Sequence, residues 1–130
     1  MSTEFLNVNP ILSVRNVADT AKFYQEKLGF TVDVVWDGNT YGVVRRGNVV
    51  IELGAKRPEQ VGGDICIISV DNADSIYEEW QSKDIEFVGD YLERKYGSKD
   101  FRIKDNNGNM LIVGHALENQ VELVQAGNIA

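Results

Sequence analysis

The sequence is short of the residues that most often carry chemistry. It has one cysteine, Cys66, and one histidine, His115, among 130 residues. A lone cysteine cannot close a disulfide within the chain. Cys66 lies in the apolar run Ile65-Cys66-Ile67-Ile68, where it reads as a small core residue rather than a nucleophile. There is no Gly-x-Ser-x-Gly elbow, no phosphate-cradling glycine loop, and no Cys–His pairing that a single histidine would make convincing. Basic residues are scarce too: 13 against 20 acidic, a net charge of −7. That balance argues against nucleic acid and anionic membrane as partners, since both need a basic footprint. It suits solubility, or the attraction of a cationic small molecule. No apolar run approaches the roughly 20 residues that span a bilayer. The opening Met1-Ser2-Thr3-Glu4 lacks the basic flank and apolar core of a signal peptide, so a cytoplasmic location is expected.

What is present is an ordinary globular composition, 43% hydrophobic and 25% charged, at a length that fits one compact unit. Residues 1–7 read as a loose arm or an added edge strand. Ile11 to Val14 reads as a strand. Asn16 then looks like a helix N-cap, with Asp19 in the first turn. Val17, Ala21, Tyr24 and Leu28 recur on one helical face, and Gly29 supplies the C′ glycine. Val32, Val34 and Trp36 alternate as a strand. Tyr41 to Arg45 and Val49 to Leu53 follow, separated by turn residues. The order is β-α-β-β-β.

Lys56 to Gly63 holds Pro58 and Gly62-Gly63 and reads as a linker. The pattern then restarts. Ile65 to Val70 is a strand, and Asp71-Asn72 caps a helix with the apolar face Ala73, Ile76, Tyr77 and Trp80. A strand is expected over Phe87 to Arg94. Lys99 to Lys104 and Asn109 to Gly114 form a hairpin around Asn106-Asn107-Gly108, residues that tolerate positive φ. His115 is expected just beyond the last strand, as a solvated residue. The repeat shows in letters as well as pattern: Ser13-Val14-Arg15-Asn16 recurs as Ser69-Val70-Asp71-Asn72. Residues 116–130 have little helical pattern and read as a tail.

Two stretches carry a resemblance. One is Tyr96-Gly97, Phe101, Asp105 and Gly108-Asn109 in the final hairpin. The other is Pro10-Ile11-Leu12-Ser13-Val14-Arg15-Asn16-Val17 with Phe23-Tyr24 and Leu28-Gly29-Phe30. Together they resemble the glyoxalase/bleomycin-resistance/dioxygenase superfamily, the vicinal-oxygen-chelate fold. The resemblance implies an α+β fold: two tandem βαβββ modules, 8–55 and 64–115, forming a cupped mixed sheet with helices outside. These make one domain over 1–115. A small half-sheet leaves edges and an apolar face that pairing would cover, which fits the expected homodimer.

Enzymes of the superfamily resemble one another in a metal site built from His or Gln on the first strand of each half and Glu on the fourth. Carried over residue by residue, those positions fall on Asn9, Ile65, Glu52 and Ile112. Aliphatic side chains ligate nothing and Asn is a poor transition-metal ligand, so no metal and no cofactor are expected. The branch resembled most is the bleomycin-resistance proteins, acidic dimers that sequester a cationic antibiotic without chemistry. The resemblance implies that Tyr96, just before the glycine of the hairpin, is a ring-stacking residue. Trp36, Tyr41 and Tyr91 are further candidate groove aromatics. Glu52, Asp33, Asp37 and Asp90 are candidate negative charges. No catalytic residue is expected. The alternative is an enzyme of the same fold, lyase or dioxygenase in type, with an atypical or absent metal site. A metabolite-binding regulatory subunit is a third possibility.

Overall fold

A computed structural model describes residues 2–117; the expected tail falls almost entirely outside them. By its internal contacts the chain divides into two units between Val61 and Gly62, inside the stretch that reads as a linker.

The first unit begins with residues 2–10, which join no strand and leave Phe5, Leu6 and Val8 exposed. Strand β1 is Ile11–Val14 and helix α1 is Val17–Leu28. Asn16 caps α1: its side-chain oxygen accepts from the Asp19 amide at 2.9 Å, satisfying a donor that has no partner inside the helix. Gly29 ends the helix at φ 77°, a left-handed conformation that costs glycine little. The guanidinium of Arg46 adds a bond to the Leu28 carbonyl, a cation at the negative end of the helix dipole.

Strands β2 (Thr31–Val35), β3 (Tyr41–Arg46) and β4 (Val49–Ala55) complete a mixed sheet of order β1-β4-β3-β2, with β1 parallel to β4 and the other pairs antiparallel. Strand alternation sorts the side chains. Leu12, Val14, Val44, Ile51 and Leu53 are buried with Val17, Ala21, Tyr24 and Leu28 of α1. Their neighbours Ile11, Tyr41, Val43 and Glu52 take the opposite face.

The second unit repeats this plan. Strand β5 is Ile65–Ser69 and helix α2 is Ala73–Gln81, capped by the Asn72 side chain on the Ser75 amide. Strands β8 (Ser98–Lys104) and β9 (Met110–Ala116) form the long hairpin, and β9 runs parallel to β5. Tyr77, Trp80, Phe87, Tyr91 and Phe101 make one aromatic cluster, with ring centroids 4.7–5.9 Å apart. The first half is a βαβββ module, the second repeats it with one strand broken in two, and the fold is α+β.

Two expectations need correction. The strand expected over Phe87 to Arg94 is broken into β6 (Glu86–Phe87) and β7 (Leu92–Glu93), both paired with β8. Gly89 lies between them at φ 72°, which takes the backbone out of the extended region. His115 is not a solvated residue past the last strand. It lies within β9, opposite Lys99, and its Nδ1 accepts from the Ala73 amide at 2.8 Å.

The structure also supplies a reason for the Asp-x2-Gly-Asn wording of the hairpin. The buried Asp105 carboxylate accepts from the amides of Asn107 and Asn109, at 2.8 and 3.0 Å, and closes the turn. The fully buried Asn109 side chain accepts from the Asp64 amide at 3.1 Å, fixing the start of β5. These residues hold backbone groups that would otherwise be buried without partners. Cys66 is buried in β5, and burial pushes its thiol pKa up, away from reactivity at neutral pH. Among the described residues no helix is long and apolar enough to cross a membrane.

Candidate functional site

In the first unit, three of the predicted site residues come together on the face of the sheet turned away from α1. Register sets Glu52 beside Ile11 on one side and Val43 on the other. Both carboxylate oxygens are engaged. The Tyr41 hydroxyl donates to Oε1 at 2.6 Å, and Asn9 Nδ2 donates to Oε2 at 3.3 Å. The bond to Glu52, then burial, raises the Tyr41 pKa, because ionising the phenol would set two anions side by side. Trp36 packs its ring edge-to-face with Tyr41, centroids 5.6 Å apart, and is 59% exposed. Asp33 is in an ion pair with Arg45 at 2.9 Å. Asp37, next to Trp36 along the chain, is exposed.

In the second unit the site is a concavity of 480 Å³ on the face turned away from α2. Ile67, Ser69, Tyr96, Arg102, Ile112 and Gly114 are among the residues that line it. Asp100 also lines it and is only 3% exposed. Its Oδ1 accepts from Arg94 Nε and Nη2, at 2.9 and 2.8 Å; its Oδ2 accepts from the Tyr96 hydroxyl at 2.8 Å. Tyr96 is thereby tied down at its polar end while 60% of its surface stays exposed. Gly114 faces Asp100 across the β8–β9 pair, and a Cβ there would stand 2.9 Å from the Asp100 Cβ.

Tyr91 is not with Tyr96. It belongs to the α2 side of its sheet, stacked on Tyr77 at 4.7 Å. Its hydroxyl donates to Asp74 of α2 at 2.5 Å, and Lys99 Nζ sits 4.2 Å from its ring centroid. Burial first, then the bond to Asp74, pushes the Tyr91 pKa far up. The same bond, with that from Lys99, holds the Asp74 carboxyl below the usual range. Asp90 is an exposed neighbour in the loop.

Sequence reasoning missed Arg94, Asp100 and Arg102. The only signal for Asp100 and Arg102 is the alternation of Ser98, Asp100 and Arg102 with Phe101 and Ile103, which marks a polar face without saying that Asp100 is buried there; Arg94 has none.

The family model of the glyoxalase/bleomycin resistance protein/dioxygenase superfamily matches residues 7–113. The chain belongs to that superfamily. Solved structures of similar fold include the bleomycin-binding protein of bleomycin-producing Streptomyces verticillus, in complex with copper(II)-bleomycin. It is 22% identical, covers 86% of this chain and 97% of its own, and superposes with a TM-score of 0.70. A bleomycin resistance determinant encoded on the transposon Tn5 is 20% identical, covering 86% of this chain and 98% of its own, with a TM-score of 0.73. A virulence protein of Salmonella typhimurium is 20% identical over 90% of this chain and all of its own (100%), with a TM-score of 0.70. No curated protein matched the chain by sequence. At these identities the structures establish the glyoxalase/bleomycin resistance fold and nothing finer.

The positions that superfamily enzymes use for a metal can be tested on this chain. Register makes Ile112 the counterpart of Glu52: Glu52 pairs with Ile11 of β1, and Ile112 with Ile67 of β5. Ile65 and Ile112 offer no donor atom. Asn9 and Glu52 are bonded to one another. No group of three His, Cys, Asp or Glu side chains comes together among the described residues. The residues present do not fit a resident metal.

Proposed function

We propose that this superfamily member binds and sequesters a small, cationic aromatic compound of the bleomycin type, without chemistry, in a groove at a homodimer interface, acting in the cytoplasm. The observation that carries the reading is Tyr96: a ring exposed over a concavity of small-molecule size and anchored through its hydroxyl on the buried Asp100. A ring held in place loses little freedom when a ligand stacks on it. Trp36 and Tyr41 present a second aromatic pair beside the Glu52 carboxylate. The net charge of −7 favours the approach of a cation. Exposed Ile65 and Ile67 on the open face of the second sheet are apolar surface that a second copy would cover.

The test is a titration of the full chain with metal-free and copper-loaded bleomycin, followed by tryptophan fluorescence and calorimetry, with light scattering for the oligomeric state. A dimer that takes up the antibiotic stoichiometrically and returns it unchanged is expected. No binding up to ~1 mM, weaker than about −4 kcal/mol, removes the antibiotic. A monomer at micromolar concentration removes the interface groove. A chemically altered ligand replaces the binder with an enzyme.

A further inference from the structure

Arg102 is the unexplained residue of the concavity. A guanidinium has five N–H donors and ordinarily spends them. Here Asp100, the one carboxylate within 4.0 Å among the described residues, is taken by Arg94 and Tyr96, and its Oδ1 lies 4.0 Å from Arg102 Nε, too far for a hydrogen bond. Nε itself is buried and finds no partner among the described residues. The side chain is half-buried, at 36% exposure, and lines the concavity. Two arginines thus share one buried carboxylate. In a chain of net charge −7, the floor of this concavity carries a surplus cation.

The surroundings narrow what would answer that cation. Ile67 and Ile112, paired across β5 and β9, form an apolar surface, and Tyr96 offers a fixed ring. Gly114 also lines the concavity, packed closely against Asp100 across the β8–β9 pair. We propose that the concavity of the second unit is a binding site for an aromatic carboxylate, with the ring on Tyr96 over Ile67 and Ile112 and the carboxylate on the guanidinium of Arg102. A planar carboxylate matches the fork of an arginine, and desolvation strengthens the pair. Asp100 turns away an anion less effectively than its charge implies, because Arg94 already neutralises it. The assignment goes beyond the sequestering of a cationic compound, since it names a group of opposite sign; a zwitterionic planar ligand would satisfy both.

The probes are 2-naphthoate, its neutral amide and the corresponding naphthylmethylammonium, titrated into the full chain by calorimetry. The carboxylate binds roughly tenfold or more tighter than the amide, the measure of one charge-assisted pair. In Arg102→Gln that preference disappears while amide binding is retained. Tyr96→Ala weakens both. Arg102→Lys keeps the charge but not the fork, and gives an intermediate preference; it also serves if Arg102→Gln does not fold. Amide or ammonium binding as tightly as the carboxylate overturns the assignment. So does a preference unchanged in Arg102→Gln, or no carboxylate binding up to ~1 mM. Bleomycin uptake is read separately, so either proposal can fail while the other stands.

Discussion

The Tyr96 hydroxyl and the Asp100 carboxylate are joined at 2.8 Å across the entry to β8, one residue exposed and the other buried. Asp100 is thus both the end of an ion pair with Arg94 and the anchor of an aromatic ring. Asp100→Ala should cost about 2–3 kcal/mol in urea denaturation, because it leaves Arg94 and the Tyr96 hydroxyl short of an acceptor. Tyr96→Phe should keep the ring, lose its anchoring and cost about 1–2 kcal/mol, because the buried Asp100 Oδ2 loses a donor. Its bound-state affinity for a planar ligand should fall less than that of Tyr96→Ala. Equal losses in the two variants would show that the ring does not stack.

Gly114 stands opposite Asp100, with the Lys99 carbonyl also 2.9 Å from where a Cβ would be. A backbone atom cannot move aside as a flexible side chain can. Gly114→Ala should therefore destabilise by about 1–3 kcal/mol, and should disturb Asp100 first. Denaturant midpoints read the cost, and the amide signals of residues 99–101 show where it falls.

His115 supplies an acceptor for the first amide of α2. His115→Ala should cost about 1 kcal/mol, as lost helix caps do, and should speed hydrogen exchange at Ala73. His115→Asn, which also offers an acceptor, should recover part of the loss.

Three tyrosines donate to carboxylates: Tyr41 to Glu52, Tyr91 to Asp74 and Tyr96 to Asp100. Two of these pairs predict pH behaviour. Asp74 titrates below its usual value when folded, so its contribution to stability is present above pH about 4 and is lost as pH falls through the lower folded value. Tyr41 and Tyr91 titrate above theirs, so their contribution is present below pH about 10 and is lost as pH rises further. Phenolate absorbance of the folded protein should lag that of the unfolded chain. Tyr91→Phe should remove much of the lag and also weaken the acid-side dependence, since Tyr91 is the first cause of the Asp74 shift. A folded titration that overlays the unfolded one would sink both assignments.

Local signals set most of the architecture. Asn16 and Asn72 announce helix starts because a side-chain oxygen can serve an amide three residues on. The apolar spacing of Val17, Ala21, Tyr24 and Leu28 marks the buried face of α1, and the alternation in β4 shows that Glu52 faces away from it. The wording of the final hairpin names the superfamily because Asp105 and Asn109 are needed to close the turn and start β5. Tertiary structure decided the rest. Tyr91 and Tyr96 look alike in sequence, yet one lies under α2 and the other on the open face, because β7 and the turn into β8 separate them. His115 became a helix cap only when β9 ran on past Gly114 to reach Ala73. Asp100 and Arg102 read as two charges on a strand's polar face. Only packing buries the first, gives it to Arg94 and leaves the Nε of the second 4.0 Å away, with no hydrogen-bond partner among the described residues, since a charge's partner is set by distance in space and not along the chain.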